Sequence, residues 1–264
     1  MTRIAVGVEY DGSAYAGWQI QPGLPNLQHT VEAALSTVAA EPVSLTCAGR
    51  TDAGVHAWGQ VAHFDTSADR SPRSWVLGAN SALPEDVSLS WAMSVPGHFH
   101  ARYCAEARTY RYLILNRPSR AALLARRAAW IHRPLDEAAM AQAALALVGQ
   151  HDFSAFRSSE CQAKSPVRDL ARLSVERQGD WVVIEATANA FLHHMVRNLA
   201  GLLIKVGRGD EPPSWASTVL ESRDRRCGAA TAPAQGLYLL AVRYPAAFGL
   251  PAGGAPQAPG CDRL

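Results

Sequence analysis

The feature that most restricts the fold is a glycine-punctuated loop between two runs of alternating apolar and polar residues. Residues 43–46 and 60–64 carry this alternation. A period of two is typical of β-strands with one buried face. Between the runs, Gly49 and Gly54 indicate a turn, because glycine is frequent where the chain reverses its direction. The sequence therefore predicts a strand pair that holds the intervening segment as a rigid loop.

This loop carries one acidic residue, Asp52, and Arg50 lies two positions before it. A short loop between rigid strands is a common way to position a functional carboxylate. Arg50 adds a planar guanidinium that is always charged. The same residues also fit an ordinary hairpin, in which Asp52 forms an Asx-turn and Arg50 a surface ion pair. The residue types alone leave both interpretations open.

The composition is that of a folded globular protein. Hydrophobic residues make up 48% of the 264 residues and charged residues 18%. A chain of this length allows one large domain or two smaller halves, and we expect two halves. The first ten residues alternate like a strand, so they do not resemble a signal peptide, and no apolar run is long enough to span a membrane. We therefore expect a cytoplasmic protein without membrane contact.

The cysteines and histidines form no recognisable metal-binding pattern. Five widely spaced cysteines without a C-x-x-C pair predict neither a disulfide framework nor a zinc knuckle. His193 and His194 are expected on a helix, where adjacent side chains point about 100° apart and cannot both face one ion. We expect no metal site. A metal-assisted hydrolase built on Asp52, Asp65 and the histidines remains a rival function, which a chelator would inactivate.

Positive charge is concentrated in one segment of a chain whose formal net charge is only +2. Residues 1–100 contain four arginines and nine acidic residues, whereas residues 101–133 contain eight arginines and only Glu106 as an acid. We call residues 101–133 the basic block. Such a block indicates an anionic partner, and a phosphate backbone is the leading candidate. A catalytically inactive RNA-binding protein would show the same feature, so this second rival function also stays open.

The order of the expected elements gives the fold class. Residues 1–100 are predicted to form strand, helix, strand, strand, helix, strand, which is the order of a ferredoxin-like unit. Residues 101–245 are expected to form a second such unit, with helices over 135–148 and 189–206. Residues 246–264, mostly Ala, Gly and Pro, are predicted to be a disordered tail. We therefore predict an α+β protein, with two ferredoxin-like halves whose mixed, mainly antiparallel sheets pack side by side around a central basic cleft.

Several blocks of the sequence resemble the motifs of one enzyme family. Residues 48–57 read AGRTDAGVHA, and this run closely resembles the signature of the tRNA pseudouridine synthase A family. Four further blocks are similar to family motifs and follow in the family's order: residues 10–19, 108–112, 151–157 and 189–199. The resemblance extends from Val8 to about Tyr244. Residues 116–130 match no motif, so RNA contacts from that connection are not implied.

The resemblance implies an isomerase that converts uridine to pseudouridine at positions 38 to 40 of the tRNA anticodon stem-loop, by base flipping and without a cofactor. It implies that Asp52 is the catalytic carboxylate acting at the ribose, Tyr110 the active-site tyrosine, and Arg197 the arginine beside the acid. The expected substrate-binding residues are Arg50, His56, Arg108 and Tyr110. Family members act as homodimers, so tRNA and a second copy of the chain are the expected partners.

Two of these residues also have ordinary structural interpretations. A strand that alternates Tyr and Arg fits a pair of core aromatics, and an arginine on an apolar helix often extends along the edge of the core. Against this, a partly buried carboxylate without an opposite charge is energetically costly. We therefore predict that the Arg197 guanidinium lies within hydrogen-bonding distance of the Asp52 carboxylate.

Overall fold

A computed structural model of the chain describes residues 1–251. Within them the chain forms five α-helices and ten β-strands, so the predicted α+β class is confirmed. None of the helices in this part of the chain has both the length and the apolar character needed to cross a membrane. The contacts divide the chain into two compact units: unit 1 contains residues 1–106 and the segment that begins at Tyr238, and unit 2 contains residues 107–237.

The strands are short to medium in length and the helices contain two to four turns. The first elements are β1 (Thr2–Tyr10), α1 (Leu27–Ala39), β2 (Thr46–Cys47), β3 (His56–Thr66), α2 (Pro72–Ala82) and β4 (Val87–Val95). Next come β5 (Ala107–Asn116), β6 (Ala129–Ile131), α3 (Glu137–Leu145), β7 (Gly149–Asp152), β8 (Val167–Gln178) and β9 (Trp181–Ala188). The last are α4 (Met195–Gly207), α5 (Trp215–Ser222) and β10 (Leu237–Arg243).

In unit 1 the strands lie in the order β4–β1–β3–β10, with β2 paired to another part of β3. Strand β1 is antiparallel to both β3 and β4, whereas β10 runs parallel to β3. Both helices begin where a side chain caps a free backbone N–H: Asn26 accepts from His29, and Ser71 accepts from Ser74. The predicted order of strand, helix, strand, strand, helix, strand is therefore confirmed for residues 1–95.

In unit 2 the strands lie in the order β7–β8–β9–β5, and β6 runs parallel to β5. The other pairs are antiparallel. Helix α3 begins where the Asp136 carboxylate accepts from the Ala139 N–H. Most of α4 is buried, which agrees with its apolar sequence.

Three predicted boundaries are wrong. The last strand, β10, belongs to unit 1, where Tyr238 and Leu239 pair with His56 and Ala57. Helices α3 and α4 are shorter than predicted, and α4 starts only at Met195, because the preceding His194 takes a left-handed conformation with φ of 62°.

The predicted disordered tail is also wrong at its beginning. Residues Ala246–Phe248 form a 3-10 turn, and the Phe248 ring lies 5.1 Å from the Phe99 ring in an edge-on contact. Packing against this aromatic ring orders a segment whose composition indicated disorder. Residues 252–264 lie outside the described part of the chain.

One buried histidine of β3 predicts a pH dependence of stability. His63 is 6% exposed, and its Nδ1 accepts a hydrogen bond from the Ala101 N–H at 3.1 Å. Burial, together with the nearby Arg3 guanidinium, lowers the pKa of His63 from the usual 6.5 to about 4. The unfolded chain therefore binds more protons between these two values, so the free energy of unfolding falls as pH falls from 6.5 to 4.

We expect this histidine to cost up to about 3 kcal/mol of stability over that pH range. His63→Asn keeps an acceptor for the Ala101 N–H but does not titrate there. Urea unfolding at several pH values should therefore show a shallower loss of stability for this variant than for the wild type. The exposed His132→Asn variant is the control and should behave like the wild type. The prediction would be contradicted if the free energy of unfolding fell equally steeply with pH for His63→Asn and for wild type.

Candidate active site

Asp52 lies in the loop of residues 48–55 between β2 and β3, where it is partly exposed. Gln60, a fully buried residue of β3, holds the start of the loop: its Nε2 donates to the Gly49 carbonyl at 2.6 Å. The Tyr10 and Thr51 hydroxyls are hydrogen-bonded at 2.8 Å. The Val55 N–H donates to the Asp52 carbonyl at 3.1 Å, which closes the turn around the acid. These bonds fix the backbone that carries the carboxylate.

A second segment, residues 10–19, packs directly against this loop. The Trp18 N–H donates to the Thr51 carbonyl at 3.0 Å, and the Gly54 N–H donates to the Tyr15 carbonyl at 3.3 Å. Two glycines make this contact possible. A Cβ on Gly12 would lie 2.0 Å from the Val55 carbonyl oxygen, and one on Gly17 would lie 2.7 Å from the Thr51 carbonyl oxygen. Residues 10–19, which resemble a family motif, thus support the Asp52 loop.

His56, expected to bind substrate, is almost completely buried at the start of β3. Its Nδ1 accepts from the Gly12 N–H at 3.1 Å, and Asp11 Oδ1 lies 3.1 Å from the same nitrogen. The His56 ring stacks on the Tyr238 ring at 4.6 Å, and Trp58 stacks on the same ring at 4.2 Å. These contacts favour a supporting role for His56 over direct contact with a substrate. Tyr238 had no expected role, because no local signal in the sequence marks it as a neighbour of His56.

Arg50, the other expected substrate contact of unit 1, is exposed two residues before Asp52. An exposed arginine beside a partly exposed carboxylate suits contact with a phosphate group. The positions of Arg50 and Asp52 on one clamped loop agree with the predicted arrangement.

In unit 2, Tyr110 and Arg108 lie on β5. The Tyr110 ring is 9% exposed and meets the Phe191 ring edge-on at 5.1 Å. Arg108 is also 9% exposed, and its guanidinium donates to the Asn189 carbonyl at 2.9 Å. This bond ties β5 to the segment that enters α4, so Arg108 positions that segment.

Arg197 is the third residue of α4 and is partly buried. Its Nε donates to the Ala232 carbonyl at 2.9 Å, so the side chain is anchored rather than extended freely along the helix. Burial raises the pKa of the Tyr112 phenol, and the positive charge of Arg197 acts in the opposite direction. Asp52 belongs to unit 1 and Arg197 to unit 2, and the pairing of their side chains stays a prediction.

The two adjacent histidines of unit 2 lie differently from the prediction. His193 and His194 form the turn before α4, not part of the helix, and their rings are only 4.1 Å apart. The prediction that the two side chains point about 100° apart on a helix is therefore wrong. The metal-assisted alternative has to be tested with a chelator.

The basic block is not a uniform surface. Arg108 is buried, Arg111 is largely buried against Glu185 at 3.0 Å, and Arg133 pairs with Asp210 at 3.2 Å. Arg108 and Arg111 are thus largely withdrawn from the surface, whereas Arg133 is exposed and paired with an acid. Three exposed arginines lie on the connection between β5 and β6: Arg120, Arg126 and Arg127. Together with the exposed Arg102, they are members of the block whose side chains lie on the surface.

Comparison with known proteins supports the resemblance found in the sequence. A family model described as tRNA pseudouridine synthase matches residues 6–104 and 143–245. Proteins named tRNA pseudouridine synthase A from Alcanivorax borkumensis and Methylococcus capsulatus are 56% and 58% identical to the chain. These alignments cover 95% and 94% of this chain and 94% and 92% of the relatives. The Pseudomonas aeruginosa protein of the same name is 54% identical over 252 residues, which cover 95% of this chain and 88% of that protein.

Between its two matched segments, the family model leaves residues 105–142 unmatched; these include the connection without a family motif and also Arg108 and Tyr110 on β5. The matched segments contain the Asp52 loop, its support at residues 10–19, and Arg197. With an alignment over nearly the full length and a family model that covers most of the chain, the chain belongs to the tRNA pseudouridine synthase family.

Proposed function

We propose that this chain is the isomerase that converts uridine to pseudouridine in tRNA, and that its targets are uridines 38 to 40 of the anticodon stem-loop. Membership of the family supports the reaction and the tRNA substrate. The observation that carries the proposal is the loop around Asp52, which places one carboxylate on a backbone clamped by Gln60 and by residues 10–19. A rigidly held carboxylate is the group that this chemistry requires.

The reaction breaks the bond between uracil N1 and ribose C1′, rotates the base, and forms a bond from C5 to C1′. The C5 proton is lost and N1 gains one, so the product is an isomer and no cofactor is consumed. The target base has to leave the stack, because C1′ is shielded inside a stem. Asp52 then acts at the ribose, either by attacking C1′ or by removing a proton from the sugar. Both routes require an ionised carboxylate.

Tyr110 is proposed to stack on the extruded uracil, with its hydroxyl near the C5 proton. Its edge-on contact with Phe191 helps to hold the plane of the ring. Arg50 is proposed to contact a phosphate beside the target nucleotide. Arg197 is proposed to pair with the Asp52 carboxylate and keep it charged and oriented.

Two Tyr110 variants separate the roles of its ring and its hydroxyl. We expect Tyr110→Phe to retain tRNA binding but to lose about tenfold or more in turnover, because the ring still stacks and the hydroxyl is gone. Tyr110→Leu should also weaken binding, since a stacked base contributes about 1–3 kcal/mol. Tyr103→Phe is the control at an exposed tyrosine. If the Phe variant and the Leu variant are both as active as wild type, Tyr110 is only a core residue.

The exposed arginines of the basic block are proposed to contact the tRNA backbone. Replacing Arg120, Arg126 and Arg127 with Gln should weaken tRNA binding and reduce the slope of log affinity against log salt by about 0.7–0.9 per lost phosphate contact. Turnover at saturating tRNA should not change. The matched control is a triple variant in which the exposed residues Arg70, Arg73 and Arg172, which lie outside the basic block, are replaced with Gln. An unchanged salt slope in the first triple variant would move the binding surface elsewhere.

A homodimer in the cytoplasm is part of the same proposal. Two copies of a chain with a net charge of +2 would join two basic blocks into one longer track for a structured RNA. Sedimentation with and without tRNA would measure the assembly.

The direct test is to incubate the pure protein with an unmodified transcript of an anticodon arm, digest it, and identify the nucleosides. We expect pseudouridine only at positions 38 to 40, and equal activity in the presence of a chelator. Unchanged uridine would favour a protein that only binds RNA. Loss of activity in the chelator would favour the metal-assisted alternative.

A further inference from the structure

The side chain proposed to pair with the catalytic acid, Arg197, is held by a short segment from elsewhere in unit 2. This segment, residues 229–233, is called the strap below, and it follows the 3-10 turn at Arg225–Cys227. The Arg197 Nε donates to the Ala232 carbonyl at 2.9 Å. In return, the Ala232 N–H donates to the Arg197 carbonyl at 3.1 Å. One strap residue thus binds both the side chain and the main chain of Arg197.

The strap lies unusually close to α4. A Cβ on Gly201, one turn after Arg197, would lie only 2.1 Å from the Ala230 carbonyl oxygen, so this position requires glycine. At its other end, the strap is fixed by Tyr112, whose buried hydroxyl donates to the Pro233 carbonyl at 2.8 Å. These contacts leave the strap little freedom to move relative to the helix.

A hydrogen-bonded network joins the strap to the residue next to Arg197. Asn198 is 3% exposed, and its Oδ1 accepts from the Thr231 hydroxyl at 2.7 Å and from the Arg225 guanidinium at 3.0 Å. Arg225 also donates to the Thr231 hydroxyl at 3.1 Å. The Asn198 Nδ2 donates to the Phe156 carbonyl at 2.8 Å. Thr231 precedes Ala232, and Asn198 follows Arg197. The network therefore sets the distance between Arg197 and Ala232, which are hydrogen-bonded to each other.

We propose that Thr231, Asn198 and Arg225 are positioning residues that act through Arg197. An arginine side chain has several rotatable bonds, and fixing them costs conformational entropy. With Nε bound to the strap, the guanidinium plane is held in one orientation before substrate binds, which is the preorganisation that an active site needs. This inference rests on the proposed role of Arg197.

The test uses single-turnover measurements of pseudouridine formation on the anticodon-arm transcript. Thr231→Val keeps the shape of the side chain but removes the hydroxyl, and we expect the rate constant at saturating transcript to fall about tenfold with tRNA affinity within twofold of wild type. Thr231→Ser should restore the rate. Thr218→Val, at an exposed threonine of α5, should have no effect. Arg225→Gln changes a partly exposed residue and should lower the rate severalfold while the protein stays folded.

The same Thr231→Val change made in an Arg197→Met background separates positioning from general stability. If Thr231 acts through Arg197, the change should lower the remaining rate by less than twofold. A tenfold loss in both backgrounds, or a wild-type rate for Thr231→Val and Arg225→Gln, would overturn the proposal while leaving the function of Arg197 intact. A wild-type rate for Arg197→Met itself would refute the proposed role of Arg197 and the positioning role with it.

Discussion

Replacing Asp52 with Asn should abolish pseudouridine formation while leaving the fold and the affinity for tRNA nearly unchanged. Asn has the shape of Asp but no negative charge, so it can neither attack C1′ nor remove a proton from the sugar. We expect turnover to fall at least about a thousandfold. The hydrogen bonds that hold the loop run from the Val55 N–H to the Asp52 carbonyl and from the Gln60 side chain to the Gly49 carbonyl. They do not involve the carboxylate and should persist.

The measurement is nucleoside analysis of the transcript, together with tRNA binding and thermal melting of the variant. Asp69→Asn is the matched control, since Asp69 is an exposed acid of the same unit. Turnover of Asp52→Asn within tenfold of wild type would remove Asp52 from the mechanism. Loss of tRNA binding with an intact fold would instead indicate that the carboxylate helps to bind the RNA.

Replacing Arg197 is expected to have the second largest effect. A lysine keeps the positive charge but not the planar fork that can hold both oxygens of a carboxylate, and it has no Nε to donate to the Ala232 carbonyl. We expect Arg197→Lys to lower turnover about 10- to 100-fold. Arg197→Met removes the charge as well and should cost about a thousandfold, because a partly buried carboxylate would lose its counterion.

The controls for these variants are Arg73→Lys and Arg73→Met at an exposed arginine of α2, which should keep wild-type turnover. Affinity for tRNA should change little in either Arg197 variant, since the role of the residue is to hold the acid. If the Arg197→Lys and Arg197→Met variants both have turnover close to wild type, the predicted pairing with Asp52 is wrong. Arg197 would then be an arginine that packs at the edge of the core.

Local sequence patterns predicted the framework of unit 1 and the position of the Asp52 loop. The strand character of β1 and β3, the Ser71 cap of α2 and the turn glycine Gly54 each depend on residues close together in the chain, so this information is present in the sequence. The expectation of one buried face is wrong for both strands, because residues 4–8 and 60–64 are buried throughout.

The sequence by itself did not show which residues support the functional side chains. Gly12 and Gly17 appeared as ordinary loop residues, yet they allow the close approach of two backbones that fixes the Asp52 loop. Gly201 lies in an apolar helix where glycine is unfavourable, and this was the one local signal that another segment packs there. Thr231 gave no signal.

The sequence determined the element types, the order of strands and helices in residues 1–95, and the loop that carries Asp52. The tertiary structure alone decided that β10 joins unit 1, that Arg108 is buried and Arg111 largely buried, and that the strap holds Arg197. The physical reason is the range of the interactions. Caps and periodic burial depend on neighbours in the chain, whereas Arg197 and Ala232 meet across 35 residues through a carbonyl group that every residue possesses, so no residue type marks the contact.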